Sequence, residues 1–110
     1  PNLYGDMLSD LASGLIGGLG LLPSSNLGEE FAMFEAVHGS APDIAGKGIA
    51  NPTALLWSAC MMLEHLGQME CAAKIRRSVD TVLEEGAFNT PDIGGNATTA
   101  EYVEEIIKRL

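Results

Sequence analysis

Residues 35–55, EAVHGSAPDIAGKGIANPTAL, decide how this chain is read. Gly39, Gly46 and Gly48, with Pro42 and Pro52 and the carboxylate of Asp43, separate a strand-like run from a long apolar helix. Glycine lets a main chain approach a ligand closely, and proline stiffens its path. The stretch lacks the spacing G-x-G-x-x-G, as does GGLGLLP at 17–23, so no Rossmann dinucleotide fingerprint is present. By pattern alone it reads either as a surface loop or as a loop that holds a ligand. His38, at its start, reads by pattern as a structural imidazole more readily than as a ligand contact, because one histidine specifies little.

Working upstream, Phe31 to Val37 alternate as a strand does, and a hairpin with residues 24–28 is expected. Residues 2–5 read as the end of a strand, and Asp6 opens a helix to about residue 16, stopped by Gly17, Gly18 and Gly20. At about 100° per residue, Met7, Leu8, Leu11 and Leu15 share one side of it, with Asp6, Ser9, Asp10 and Ser13 on the other.

Downstream, Asn51 is placed to cap and Pro52 to start a helix running to about Leu66 and closed by Gly67. Its sequence is apolar nearly all round, which predicts burial on most sides. The next helix, about 70–85, carries a stripe of Ala72, Ile75, Val79, Val82 and Leu83 and stops at Gly86. After a loop at 87–97, Thr98 and Glu101 form a capping box for a last helix expected to bury Val103, Ile106, Ile107 and Leu110.

With 110 residues, one domain is the ceiling. Six Lys+Arg against 15 Asp+Glu, a net charge of −9, would repel a phosphate backbone, which argues against a nucleic-acid partner. No apolar run reaches the roughly 20 residues of a membrane span, and no signal-peptide pattern appears. A start at Pro1 is the expectation for a piece of a longer soluble chain. Cys60 and Cys71 sit in helical patterns without secretory context, which suits a reducing compartment.

Asp6 and Asp10 are four residues apart, so their carboxylates leave one helical face about 6 Å apart at Cβ. That spacing suits Mg²⁺ or Mn²⁺, which take oxygen ligands and complete an octahedron with water and substrate. It equally suits an N-cap and a first-turn acid that complement the helix dipole.

PNLYGDMLSDL, EAVHGSAPDIAGKGIANPTALL and MMLEHLG together closely resemble the C-terminal part of the isocitrate/isopropylmalate dehydrogenase family, the metal-dependent β-decarboxylating dehydrogenases. The resemblance covers essentially the whole chain. It implies an α/β fold, with residues 1–110 an incomplete domain, the C-terminal segment of the large domain of that fold and not a Rossmann fold. It implies that Asp6 and Asp10 hold the metal. It also implies that the loop wraps the adenosine half of NAD, through His38, Gly39, Ser40, Ala41, Pro42, Asp43, Ile44 and Asn51.

The reaction implied is NAD-dependent oxidative decarboxylation of a 2-hydroxy-3-carboxy acid. Ala36 and TPDIGGNATT at 90–99 look more like NAD-dependent isocitrate dehydrogenases, so isocitrate to 2-oxoglutarate, a tricarboxylic acid cycle reaction, is favoured over 3-isopropylmalate. A non-catalytic subunit or fragment of the same fold is the rival, against which both aspartates argue. The family's substrate-binding arginines and proton-transfer tyrosine and lysine match nothing here, so no catalytic residue is assigned, Tyr4 included. The segment alone is expected to be inactive.

By the same resemblance, NADP-preferring relatives carry lysine and tyrosine in place of Asp43 and Ile44, and tyrosine and arginine in place of Pro91 and Gly95. A 2′-phosphate about 4 Å from Asp43 at an effective dielectric near 20 would be repelled by roughly 4 kcal/mol, about a thousandfold. The helix at 6–16 would lie in a bundle joining two subunits, making the full enzyme at least a dimer. Its location would be cytoplasmic, or the mitochondrial matrix in a eukaryote.

Overall fold

The computed structural model describes residues 3–110. Four helices, α1 (Leu3–Leu15), α2 (Thr53–His65), α3 (Met69–Glu85) and α4 (Thr99–Ile107), accompany one antiparallel hairpin of β1 (Pro23–Leu27) and β2 (Ala32–Ala36). Short 3₁₀ turns lie at Leu19–Leu21, Pro42–Ile44 and Pro91–Ile93. The expected hairpin is present, with Ser25 paired to Phe34 and Pro23 to Ala36.

The expected strand at 2–5 is not found: Leu3, Tyr4 and Gly5 are helical, while residue 2 lies outside the described residues. Leu3 stands four before Met7 and Tyr4 four before Leu8, so the apolar stripe continues upstream of Asp6. Asp6 is therefore a first-turn acid, not the residue that opens the helix. The apolar side of α1 is open, with Leu8 69%, Leu11 70% and Leu15 86% exposed. Ser13, on the side expected to be polar and outward, is the one buried residue of α1. Its hydroxyl donates to the Asp10 carbonyl at 2.7 Å, and its own carbonyl accepts from Ile16 and Gly18. The chain turns there and leads into the 19–21 turn, which packs back on α1.

The core forms where α2, α3 and α4 meet. Val79, Val82, Tyr102 and Ile106 are buried together, with Leu56, Trp57, Ile75, Leu83 and Phe88 packed around them. The α3 stripe is as the periodicity predicts, and Gly86 ends that helix in the left-handed conformation at φ 69°. In α4 the face is rotated: Tyr102 is buried, whereas Ile107 and Leu110 are each 60% exposed. A buried Tyr102 is tolerable because its hydroxyl shares a 2.7 Å hydrogen bond with Thr53 Oγ1, and burial pushes that phenol up. The same bond ties α4 to the start of α2.

Helix α2 packs on α3 and on both strands, yet Leu55 is 57% and Met62 40% exposed, so burial is less complete than its composition predicts. Ser58 is buried and joins it to the hairpin, donating to the Glu35 carbonyl at 2.7 Å and accepting from the Ser24 N–H at 3.2 Å. Arg76 grips both oxygens of Glu64, at 3.1 and 3.3 Å, across the α2–α3 seam. Cys60 is buried and Cys71 exposed, and both are free thiols. Burial pushes the Cys60 thiol up.

The capping box at α4 is present as expected. Thr98 accepts from the Glu101 N–H, and the Glu101 carboxylate accepts from the Thr98 N–H at 2.8 Å, which holds Glu101 below the usual carboxylate range. Next to it, the Thr99 N–H donates to the Gly48 carbonyl at 2.8 Å and its hydroxyl to the Ala50 carbonyl. The end of the 38–51 loop is thereby fastened to the start of α4.

Candidate cofactor and metal site

The 38–51 loop leaves β2, turns through Pro42–Ile44 and runs into α2. Ala41 enters that turn at φ 43°, a left-handed conformation that costs a non-glycine residue energy and marks a constrained backbone. Gly46 and Gly48 follow at φ 75° and 65°, conformations glycine adopts freely. The loop encloses a cavity of about 780 Å³ with the 19–21 and 91–93 turns.

Of the residues expected to hold adenosine, His38, Gly39, Ser40, Ala41, Ile44 and Asn51 line this cavity. Pro42 and Asp43 do not line it; they stand exposed in the 42–44 turn at its edge. The His38 Nδ1 lies 2.9 Å from the Gly39 carbonyl, which fits a tautomer protonated at Nδ1 with Nε2 as acceptor. The Asn51 Oδ1 accepts from the Thr53 N–H at 3.0 Å, and the Pro52 carbonyl accepts from Leu56. The helix therefore opens one residue later than expected, with Pro52 at the capping position and Thr53 as the first helical residue, and Asn51 satisfies the Thr53 N–H from just outside it.

Asp92 was not singled out by the sequence reading, yet it lines the cavity opposite the loop. It accepts from Asn51 Nδ2 at 3.0 Å and from Thr90 Oγ1 at 2.5 Å. A signal for it existed: Pro91-Asp92-Ile93 repeats Pro42-Asp43-Ile44, and both triplets fold into the same kind of turn. Of the two acids, only Asp92 lies on the cavity wall. The turn carrying it admits only glycine at residue 95, where a Cβ would stand 1.7 Å from the Asn89 carbonyl oxygen.

The wall is made mostly of small and apolar groups, with polar atoms at a few points. A volume in the range of small-molecule sites and a backbone free of bulky side chains at Gly39, Gly46 and Gly48 suit a flat ring and a ribose. Asp92 is the one carboxylate, and no lysine or arginine is present, among the residues that line it.

Asp6 and Asp10 lie one turn apart on exposed α1. Among the described residues neither carboxylate is engaged in an ion pair, and no cluster of three or more His, Cys, Asp or Glu is placed to hold a metal. Two carboxylates on one face would fit part of a Mg²⁺ or Mn²⁺ shell, and the described residues offer no further ligand beside them.

A family model described as isocitrate/isopropylmalate dehydrogenase matches residues 1–106. The chain is 61% identical over 109 residues to an isocitrate/homoisocitrate dehydrogenase of Thermus thermophilus, covering 99% of this chain and 32% of the relative. It is 56% identical over 109 residues to a 3-isopropylmalate dehydrogenase of Archaeoglobus fulgidus, over 99% of this chain and 33% of that one. The crystal structure of isocitrate dehydrogenase from Methylococcus capsulatus superposes with a TM-score of 0.92 at 54% identity, over 98% of this chain and 32% of that one. The chain belongs to the isocitrate/isopropylmalate dehydrogenase family and has the α/β fold of a fragment of those enzymes. It spans about a third of the length of these relatives.

The aspartate pair makes a test in the full-length protein. Asp10→Asn is expected to keep α1 helical and to weaken Mn²⁺ binding by at least tenfold, with little change in thermal midpoint. Unchanged metal affinity in a calorimetric titration would reduce Asp10 to a helix-surface acid.

Proposed function

We propose that residues 1–110 are the C-terminal segment of the large domain of an NAD-dependent decarboxylating dehydrogenase, supplying the adenosine site and part of the metal site. The observation that carries this reading is the cavity walled by His38, Gly39, Ala41 and Asn51, in a chain of this family. The substrate proposed is a 2-hydroxy-3-carboxy acid, isocitrate in the first instance. Isopropylmalate is the second reading, since the family is defined by both.

In this proposal His38, Asn51 and the glycine backbone bind and orient the adenosine end, and Ile44 packs against it. Asp43, at the edge, accepts from the ribose hydroxyls. NAD when bound supplies the hydride acceptor. Asp6 and Asp10 would hold a divalent cation, which supplies charge stabilisation at the substrate's hydroxyl oxygen. The carboxylate-binding arginines and proton-transfer groups belong to the longer chain, so the activity is proposed for that chain and not for these residues alone.

Preference for NAD over NADP is supported by two features. The cavity wall offers no cation to a 2′-phosphate. The 89–95 turn leaves no room for the side chain that NADP-preferring relatives place at Gly95. Asp43 contributes less than burial would have allowed. It is exposed, and two unit charges 4 Å apart in a water-like dielectric repel by only about 1 kcal/mol.

Replacing Asp43 by lysine reverses that charge, so Asp43→Lys with Ile44→Tyr should shift the NAD:NADP ratio of kcat/KM about 30-fold toward NADP. A full-length enzyme that already prefers NADP, or a ratio the double variant leaves alone, contradicts the assignment. We further propose that the apolar side of α1 meets a second subunit, because Met7, Leu8, Leu11 and Leu15 are all more than half exposed. Leu11→Glu should lower the sedimentation coefficient of the full-length dimer toward that of a monomer; an unaltered profile removes α1 from the interface.

A further inference from the structure

Asn51 and Asp92 on the cavity wall and the buried Thr90 form a side-chain relay. Thr90 is wholly buried and donates from Oγ1 to Asp92 Oδ1 at 2.5 Å. Asn51 Nδ2 donates to Asp92 Oδ2 at 3.0 Å, while Asn51 Oδ1 accepts the Thr53 N–H at 3.0 Å. The opposite amide orientation would set Oδ1 against a carboxylate and the NH₂ group against an N–H donor, so one orientation is enforced. The 19–21 turn closes over the pair: a Cβ on Gly20 would stand 2.9 Å from Asp92 Oδ2 and 3.4 Å from Asn51 Cβ.

We propose that Asp92 is a positioning residue for adenine recognition, fixing the Asn51 amide and with it the hydrogen-bonding edge that Asn51 offers to the ring. This rests on the adenosine-binding reading of the cavity and adds to it the residue that orients Asn51. Asp92 acts through Asn51, not through the 2′ position, so NAD and NADP are affected alike. That separates its role from the role assigned to Asp43.

The experiment is a double-mutant cycle in the full-length, Mn²⁺-loaded enzyme, with AMP affinity measured by calorimetry and KM measured for NAD, for NADP and for the hydroxy acid. Asp92→Ala should weaken AMP and NAD about tenfold, a typical cost for losing a hydrogen bond to a charged group, while kcat and the hydroxy-acid KM stay within twofold. Asp92→Asn should recover most of the loss, since its amide oxygen still accepts from Asn51. Asn51→Ser keeps an acceptor for the Thr53 N–H but removes the amide, and in that background Asp92→Ala should cost nothing further. An equal cost in both backgrounds, no cost in the unmodified background, or a loss confined to NADP overturns the proposal. An unmodified enzyme that binds no AMP at all overturns the adenosine reading and this proposal with it; AMP binding indifferent to Asp92→Ala overturns this proposal alone.

Discussion

The site depends on one side chain that serves two structures at once. Asn51 accepts the first N–H of α2, that of Thr53, through its amide oxygen and holds Asp92 through its amide nitrogen. Helix α2 in turn packs against α3 and both strands, so the side chain that satisfies the start of the central helix also fixes the cavity wall. Pro52, at the capping position between Asn51 and Thr53, has no N–H to satisfy, so the first helical N–H left to pair is that of Thr53, and Asn51 takes it. The cavity is therefore a consequence of how the core helix begins.

Buried polar contacts carry the fold outward from that point. Thr53 binds Tyr102, Ser58 binds the hairpin, and Thr99 binds the carbonyls of Gly48 and Ala50 through its N–H and hydroxyl. Each joins elements distant in sequence, and Thr53 and Ser58 are buried, so removal would strand a desolvated partner. The loop is consequently held at both ends: at its end by α2 and α4, and at its start by β2. An acidic protein with one carboxylate on the cavity wall is then a poor host for an additional phosphate and a reasonable one for hydroxyls and a neutral ring.

Much of this was legible from local signals. The hairpin followed from alternation, the α3 face from its period, Gly86 and the Thr98–Glu101 box from capping chemistry, and the family from its long motifs. Errors arose where tertiary contacts decide. Nothing local distinguished Leu3–Gly5 as helix from strand, because the deciding feature is continuation of a stripe that packs on little among the described residues. Burial of Tyr102 in place of Ile107 required knowing that Thr53 would meet its hydroxyl. Asp92 escaped because its partner Asn51 is far away in sequence, although the repeated Pro-Asp-Ile triplet pointed to it. The open faces of α1 and α2 have the same origin, since a segment about a third the length of its relatives exposes apolar surface that a longer chain or a neighbouring protomer can cover.

The central claim is that the 38–51 loop, latched through Asn51, receives the adenosine end of a dinucleotide. Hydrogen–deuterium exchange of the full-length protein with and without saturating NAD tests it most directly. Slowed exchange is predicted in peptides spanning 38–51 and 89–96, with the hairpin and the second half of α3 unchanged. Saturating NAD that leaves both of those segments exchanging at their free rates, while protecting others, would contradict the account.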